Sequence, residues 1–511
     1  MSGQKHTRKF RTLLFVLAFL LVLPEVTLWP KSAAAISPSN RITYAEAQRI
    51  APAIGPNAAQ DNYERIQYSL DQYGIARLED GVFPLSQGLV LGDDDVLTAN
   101  HATWPELRLA SPNEFVVKLA GNRATVSMLT LNYNNQYIAG AFPCKAVVQV
   151  WGQNNSVNNN HIKGGDQPQP PNPVSEKDYK TVTGIYFVDA SARGNATDNN
   201  QIYNSTYGVI FVAGLTNVGS ANVVRNSEVY YNKCDGVTIA GYGQVIGSRL
   251  HHNGFDCMNG AGATPGIPIP GAGIYSIGNA NGALIQDNTL YDNNGNGIDI
   301  VQGRNFIIEG NYSYDPGNRA FPAAAAAYHS VTYGNGISII VADTAYSMIE
   351  DNVAVNNRST NKVGLSAYPD PVTNRFFAAQ GAAGYSDLPS GSNQVIAFML
   401  AETNGTTHHT IGNAIRNNEF RASPSGSGAV GLGYFVSRGT GFGVLGSTSD
   451  AYWGGDSTNY FTLNDPFGSH IGSKRCGGNW YAADLAEPNT DDAQHYPPLG
   501  DWAGNDFASH Y

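Results

Sequence analysis

The chain has 511 residues, which is long enough for several ordinary domains or for one long repeat fold, so length alone decides neither. Charged residues make up only 14% of the chain, whereas Gly contributes 57 residues and Tyr 28. This composition favours short strands and tight turns over helical bundles. The net charge of −11 provides no basic excess, so we expect no nucleic-acid partner.

The N-terminus has the features of an export signal. Four basic residues within the first 11 precede an apolar run over 13–23, and small residues follow at 32–35. We therefore predict a signal peptide over 1–35 and a secreted or periplasmic protein; an uncleaved membrane anchor is the alternative. The mature chain would keep 25 basic and 40 acidic residues, and no later apolar stretch is long enough to span a membrane.

A short amphipathic helix is predicted before the first strands. Tyr63, Ile66 and Leu70 recur at helical spacing within 61–73, and Gly74 is a typical residue to end a helix. We assign residues 36–120 to an N-terminal cap with the first strands, because an uncapped repeat fold exposes apolar interior and strand edges.

Two short motifs recur through the middle of the chain. The first is a Gly followed by alternating apolar residues, and its copies begin at Gly184, Gly208, Gly236, Gly273, Gly297 and Gly336. Their spacings imply a minimal coil of 24 residues, with insertions in some coils. The second is an apolar strand ending in Asn, with copies at 223–226, 285–288, 308–311 and 349–352. Asn at the same turn of successive coils can stack its amide on the next one.

These motifs resemble the pectate-lyase-like superfamily of right-handed parallel β-helices, whose coils have three short strands joined by three turns. The resemblance implies an all-β chain: a right-handed parallel β-helix solenoid with an N-terminal capping helix. We place its coils at 121–440 and a C-terminal cover segment at 441–511. The family contains polysaccharide lyases, epimerases and hydrolases, so it implies a polysaccharide partner but no particular reaction.

Side-chain alternation along the Gly-apolar strand separates an inner from an outer face. Ile298 and Ile300 are expected inside and Asp299 outside, and the copy at Gly336 places Ile337 and Ile339 inside and Ser338 outside. Long insertions precede several of these strands, at 164–178, 258–271, 314–333 and 358–393. In the resembled family such loops wall a groove over this sheet, and we place the polysaccharide site there.

Asp235 and Asp299 are the carboxylates that we expect near the middle of this groove. Two coils would separate them by about 9.6 Å along the axis, close to the ~6.5–9.5 Å of an inverting carboxylate pair. The alternative for each is a solvated turn or strand residue.

Further candidates are grouped by the chemistry that they offer. Removal of a sugar proton and stabilisation of a uronate carboxylate suit basic side chains, and the catalytic candidates besides the two Asp residues are Lys233, Arg249, Arg304 and His329. Sugar contacts suit aromatic and amide side chains, and the substrate-binding candidates are Tyr186, Thr238, Tyr275, Asn296 and Tyr328. Calcium is a possible cofactor, with carboxylate ligands from Asp235, Asp256 and Asp299.

The first functional hypothesis is a lyase or C5-epimerase acting on a uronate-containing polysaccharide. The alternatives are a glycoside hydrolase with paired Asp residues and a non-catalytic polysaccharide-binding or surface-structural protein. Mannuronan C5-epimerases of this fold carry Asp-Pro-His after the Gly strand, but Ile300 and Val301 follow Asp299 here. Polygalacturonases carry Asp-Asp and Gly-His-Gly, and neither occurs between residues 180 and 360.

The chain has four cysteines, at 144, 234, 257 and 476, too few for a disulfide scaffold. Cys234 and Cys257 lie about one coil apart, and adjacent coils suit the geometry of a bridge. We predict a disulfide between them; two buried free thiols are the alternative.

Overall fold

The computed structural model describes part of the chain in detail. The described residues are 51–57, 61–136, 145–166, 182–188, 191–212, 221–254, 271–276, 280–293, 296–301, 303–315, 339–342, 344, 346–356, 395–402, 414–416, 418–422, 429–438, 441–444, 460–462, 475–476 and 479–480. Contacts divide the chain into Met1–Ala47 and Gln48–Tyr511, and every described residue belongs to the second unit. The predicted signal peptide lies outside the described residues. Within them no helix is long and apolar enough to cross a membrane.

Three long sheets, here called A, B and C, form the body of the second unit. The chain visits sheet A, then B, then C, and returns to A one coil later. Sheet A contains Ala53–Ile54, Ile75–Leu78, Val96–Ala99, Thr125–Ser127, Ser156–Asn158, Ala196–Asp198, Val223–Arg225, Gln244–Ile246, Leu284–Gln286, Ile307–Glu309, Met348–Glu350, Ala414–Arg416 and Tyr460–Thr462. Sheet B contains Val82–Leu85, Glu106–Leu109, Thr130–Asn132, His161–Lys163, Gln201–Tyr203, Glu228–Tyr230, Arg249–His251, Thr289–Tyr291, Tyr312–Asp315, Val353–Asn356 and Glu419–Ala422. Sheet C contains Leu89–Leu91, Phe115–Leu119, Ala146–Val150, Thr183–Phe187, Tyr207–Phe211, Val237–Ile239, Ile274–Ser276, Ile298–Val301, Ile339–Ala342, Val395–Glu402, Ala429–Arg438 and Gly441–Val444.

Each strand of these sheets pairs in parallel with the equivalent strand of the neighbouring coil, except the last strand of sheet C. Gly441–Val444 runs antiparallel to Ala429–Arg438, and Arg475–Cys476 and Asn479–Trp480 form a separate antiparallel hairpin. The predicted parallel β-helix is therefore confirmed. Its coils begin with Ile75–Leu78, well before residue 121, because the first strands already pair in the same three sheets.

The interior of the solenoid is a set of aliphatic columns, one side chain per coil. Ile298, Ile300 and Ile339 are fully buried, as the alternation predicts, whereas Ile337 lies outside the described residues. In sheet C, Phe187 and Phe211 continue the same column as stacked rings 4.8 Å apart. Burial of each large apolar side chain contributes roughly 1.5–3 kcal/mol, so the columns supply much of the stability.

One α-helix, Tyr63–Tyr73, precedes the first complete coil. Ile66 and Leu70 point into the core, and Gly74 ends the helix in the left-handed conformation with φ 65°. The helix packs against Ile75–Leu78 and Leu89–Leu91. The predicted capping helix is thus present on the first coil.

The turn between sheets A and B has two residues with distinct tasks. The first is left-handed, as at Asn199 (φ 53°) and Asn226 (φ 50°). The second is a buried Asn or Ser whose side chain accepts a hydrogen bond from the backbone N–H of its equivalent one coil earlier. These residues form a ladder of Asn160, Asn200, Ser227, Ser248, Asn288, Asn311, Asn352 and Asn418, with N···O distances of 2.9–3.2 Å.

The ladder corrects one alignment from the sequence. Register pairs Val224 with Ile285 through Val245, so Ser227 and not Asn226 is equivalent to Asn288. The shortest step of the ladder is 21 residues, three fewer than the minimal coil expected from the Gly strands. Two shorter ladders of the same kind occupy the other turns, through Asn155, Asn195 and Asn222 and through Ser205, Asn232, Asn253 and Asn293.

Candidate functional site

Sheet C presents one outward column whose members differ from coil to coil. Register aligns them directly, and the column reads Lys118, Gln149, Tyr186, Ile210, Thr238, Tyr275, Asp299 and Ile340. Asp299 and Tyr275 are outward, as predicted. Ser338 lies outside the described residues, and Ile340 rather than Ser338 is equivalent to Asp299, because Ile339 pairs with Ile298. The alignment of this copy with the copy at Gly297 therefore shifts by two residues, and Ile339 still lies inside.

A second column lies three residues earlier in each coil, where the chain enters sheet C. Tyr207 and Asp235 are equivalent in it, and Asn296 belongs to it two coils after Asp235. The long insertions of the sequence all fall between sheets B and C, immediately before this column. The insertions themselves lie largely outside the described residues.

Asp235 is held by donors from two coils. Its Oδ2 accepts a hydrogen bond from the Thr238 hydroxyl at 3.0 Å, and its Oδ1 accepts one from the Ala272 N–H of the next coil at 2.8 Å. The residue is 5% exposed. Burial, with a smaller contribution from the charge of Asp299, raises the pKa of Asp235 to about 7 against the opposing effect of these two hydrogen bonds.

Asp299 is half-buried on the outward column. Its Oδ2 accepts a hydrogen bond from the Asn296 amide at 2.7 Å, which connects the two columns within one coil. Burial raises the pKa of Asp299 to about 6, and the hydrogen bond opposes that rise. Asp235 and Asp299 are therefore an interacting pair of carboxyls, each with a pKa raised well above its ordinary value of 3.8.

Tyr275 lies between the two carboxyls in the coil that separates them. Burial, followed by the charges of Asp299 and Asp235, raises the pKa of its phenol, so the phenol stays protonated. Tyr207 contributes to the same shift and is a member of this site that sequence reasoning missed. Its signal was its position directly before Gly208, which matches that of Asp235 before Gly236.

The remaining substrate-binding candidates differ in accessibility. Thr238 is 9% exposed and Asn296 4%, and both act on the carboxyls described above. Tyr186 is on the outer face but only 2% exposed, in a small apolar cluster with Ala146 and Ile210. The outward column is thus covered at Tyr186 and more open at Tyr275.

Arg249 and Arg304 lie away from the acid pair, whereas Lys233 is two residues before Asp235. Arg249 lies on sheet B, where its guanidinium contacts the Tyr291 hydroxyl at 2.9 Å and Glu228 at 3.4 Å. Arg304 is exposed at the entry to sheet A, and Lys233 is 4% exposed in the turn before Asp235. The structure therefore distributes these three cations over separate parts of the coil.

Several predicted residues lie outside the described part of the chain: Asp256, Cys257, Tyr328 and His329. Cys234 forms a disulfide bond. Its pairing with Cys257 stays a prediction.

The predicted calcium site stays a prediction, because Asp256, its third carboxylate, lies outside the described residues. Both oxygens of Asp235 already accept hydrogen bonds, as does Oδ2 of Asp299. Among the described residues no cluster of three or more His, Cys, Asp or Glu side chains is arranged to hold a metal ion. No step that we derive below uses calcium.

No family model matches the chain, and no curated protein matches its sequence. Three solved structures illustrate its similarities. The Dettilon tailspike protein is 12% identical with a TM-score of 0.45, over 76% of this chain and 66% of that one. The A-module of a mannuronan C-5 epimerase from Azotobacter vinelandii is 12% identical with a TM-score of 0.43, over 83% and 94%. The catalytic domain of an α-1,3-glucanase in complex with nigerose is 11% identical with a TM-score of 0.47, over 81% and 64%. The chain is a parallel β-helix by its own strand pairing, and these similarities add no activity to that assignment.

Proposed function

We propose that this chain is an enzyme that hydrolyses glycosidic bonds of a polysaccharide, with Asp235 and Asp299 as its acid and base. The observation that carries the proposal is the pair itself: two carboxyls on one face, held by separate donors, each with a pKa raised above its ordinary value. Such a pair is a frequent property of acid–base sites and a rare one of solvated turns.

The two residues take different roles because their proton affinities differ. Asp235 has the higher pKa, about 7, and acts as the general acid that protonates the leaving oxygen. Asp299, with a pKa of about 6, acts as the base that activates water. Their strands are two coils apart, about 9.6 Å, which leaves room for a water molecule as in inverting hydrolases.

The shape of the face favours a polymeric substrate. Successive members of the outward column are about 4.8 Å apart, a spacing similar to the length of one sugar unit. Tyr275 offers an aromatic ring between the two carboxyls, where a sugar can stack. Together with the predicted signal peptide, this points to an exported enzyme acting on an extracellular polysaccharide.

A uronate lyase or C5-epimerase is the second candidate. Asp235 carries a proton near neutral pH, and a protonated carboxyl can hydrogen-bond a uronate carboxylate while the Tyr275 phenol donates a proton. The candidate is second because Arg249 and Arg304, expected to neutralise the uronate, lie elsewhere.

The test is an assay of the purified protein over neutral and acidic polysaccharides. New reducing ends without ultraviolet absorbance indicate hydrolysis, unsaturated ends indicate a lyase, and unchanged chains with altered proton spectra indicate an epimerase. We expect Asp299→Asn and Asp235→Asn each to lower turnover at least about 100-fold. The control is Asp287→Asn, which changes an exposed carboxylate in the turn between sheets A and B.

The pH profile provides an independent check. Turnover should fall below about pH 6 as Asp299 gains a proton, and above about pH 7 as Asp235 loses one, which gives a narrow bell. Near wild-type turnover of both Asn variants would overturn the proposal. Binding of a polysaccharide without turnover by the wild-type protein would leave the non-catalytic alternative.

A further inference from the structure

A compact group of ionisable side chains lies on sheet B, away from the acid pair. It spans three successive coils at the exit from sheet B, where the first turn residue is left-handed. In one coil that residue is Asn204 (φ 55°), which tolerates this conformation well. The next three coils place Tyr231 (φ 52°), His252 (φ 54°) and Asp292 (φ 53°) there. Asp and His adopt this conformation more often than most residues, whereas a Tyr there is uncommon.

The strand residues beside this turn form a ladder of rings on the outer face of sheet B. The ladder consists of Tyr203, Tyr230, His251, Tyr291 and Tyr314, with neighbouring ring centroids 4.6–5.5 Å apart and planes within 18°. Four of its five members are tyrosines. His251 is the exception, and a hydrogen bond joins it to His252.

Hydrogen-bond geometry indicates which ring nitrogen carries the hydrogen in each neutral histidine. Their Nδ1 atoms are 2.8 Å apart, so one of them donates and the other accepts. Nε2 of His251 lies 3.1 Å from the Glu228 carboxylate and therefore carries a hydrogen. In neutral His251 the hydrogen therefore lies on Nε2, and its Nδ1 accepts the hydrogen bond that His252 donates.

Other charged groups around the pair reinforce this arrangement. Nε2 of His252 is 3.8 Å from Asp292, so a first added proton on His252 gains a carboxylate partner. A second proton, on His251, would place two imidazolium rings side by side, close to the Arg249 guanidinium that also contacts Glu228. Tyr230, Tyr231 and Tyr291 surround the rings, and burial raises the pKa of the Tyr230 and Tyr231 phenols, so these two bring no further negative charge.

We propose that the His251–His252 pair is an acid-sensitive latch: sharing one proton between its Nδ1 atoms, it ties three coils of sheet B together, and protonation of both rings opens it. The first of these coils contributes Glu228, the second contributes the two histidines, and the third contributes Asp292. This inference does not depend on the proposed hydrolase activity.

The sign of the pH dependence follows from linkage. Burial, the largest cause, lowers the pKa of His251 from 6.5 to about 4, so the unfolded or opened chain binds this proton more tightly than the closed one. Stability is therefore complete above pH 6.5 and is lost as the pH falls toward 4. At about pH 5 the equilibrium for opening should be about 30-fold more favourable than at about pH 7.5.

The experiment is hydrogen exchange of the full chain, resolved to peptides, at these two pH values and corrected for intrinsic rates. In the wild-type protein, protection in the strands Glu228–Tyr230, Arg249–His251 and Thr289–Tyr291 should fall about 30-fold at the lower pH. In His251→Tyr, which completes the tyrosine ladder, the fall should be less than about threefold. His252→Asn should behave likewise, because Asn suits the left-handed turn and leaves His251 free to take a proton.

The control is His101→Gln, which removes an exposed histidine, 62% accessible, near the first coils and should retain the wild-type response. Equal losses of protection in the wild-type protein and both pair variants would overturn the latch. So would a wild-type protein that keeps full protection at the lower pH.

Discussion

The inside of the solenoid and the outer face of sheet C obey different rules. Inside, each coil repeats the residue type of the coil before it, as in the aliphatic columns and in Asn288, Asn311 and Asn352 of the turn ladder. On the outer face of sheet C, Thr238, Tyr275 and Asp299 occupy equivalent positions and share no chemistry.

The difference shows how a repeat fold separates stability from activity. A repeated side chain stacks on its own copy, so its contribution recurs at every coil and the fold depends on it. An unrepeated polar side chain gains no such partner. Where it is also buried, as Asp235 is, it costs free energy of folding and points to a task other than stability.

The largest effect should come from breaking a repeated column. Ile300→Asp puts a charge into a fully buried position between Ser276 and Val341 of the adjacent coils, and we expect it to destabilise the protein by at least about 4 kcal/mol or to prevent folding. Soluble yield and chemical unfolding measure this. Thr289→Asp, on the outer face of sheet B beside Arg249, is the matched control and should change the unfolding free energy by less than about 1 kcal/mol.

Breaking the turn ladder should have the next largest effect. The Asn311 side chain accepts hydrogen bonds from both nitrogens of Asn288 and donates to the Ile285 carbonyl and to Asn352. Asn311→Ala leaves these buried groups without partners and should cost about 2–4 kcal/mol. Asn281→Ala, at an exposed position, should cost less than about 1 kcal/mol in the same denaturant titration. Equal costs would mean that the ladder does not hold the coils.

Removing an unrepeated residue should stabilise the fold at alkaline pH. The folded state raises the pKa of Asp235 from 3.8 to about 7, so its contribution is favourable below pH 3.8 and is lost as the pH rises through 7. Asp235→Asn should therefore be more stable than the wild-type protein by about 1–3 kcal/mol at about pH 8. The two should converge at about pH 4, as unfolding titrations can show. A less stable variant at the higher pH would contradict this account.

The smallest effect concerns an exception inside the solenoid. Ser276 occupies the column of Ile239 and Ile300, is fully buried, and its hydroxyl has no hydrogen-bond partner among the described residues. Ser276→Ala should be neutral or stabilise by about 0.5–1 kcal/mol. Ser227→Ala removes a ladder hydroxyl that bonds Asn200 and Arg225, and it should cost about 1–2 kcal/mol. The contrast between the two serines is measurable as a difference in denaturation midpoint.

The architecture could be predicted from the sequence because the same short motifs recur from coil to coil. Gly297-Ile298-Asp299-Ile300 states both the strand and its two faces, and the structure confirms which side chains are inside. The copy at Gly336 was misaligned by two residues, and that at Asn226 by one, because neighbouring residues there fit the same pattern. Only pairing with the next coil distinguishes such alternatives.

The candidate site was predictable in part. Asp299 and Tyr275 follow from alternation, but the proximity of Asp235 to both depends on where the chain enters sheet C. The burial of Tyr186 could not be predicted, since an outward position in a strand does not reveal what packs over it. The His251–His252 contact was equally hidden, because it joins a strand residue to a turn residue through a left-handed backbone.

The turn ladder has a consequence for how this chain can change length. Successive members of the ladder are separated by as few as 21 and as many as 66 residues, yet their hydrogen bonds stay within 2.9–3.2 Å. The length of chain between two ladder residues therefore does not alter the hydrogen bond that joins them. A gene encoding such a chain can therefore gain, lose or exchange segments between ladder residues, or duplicate a whole coil from one Asn to the next, without disturbing the register of the adjacent coils. New surface chemistry can thus be recruited one coil at a time while the fold is inherited intact.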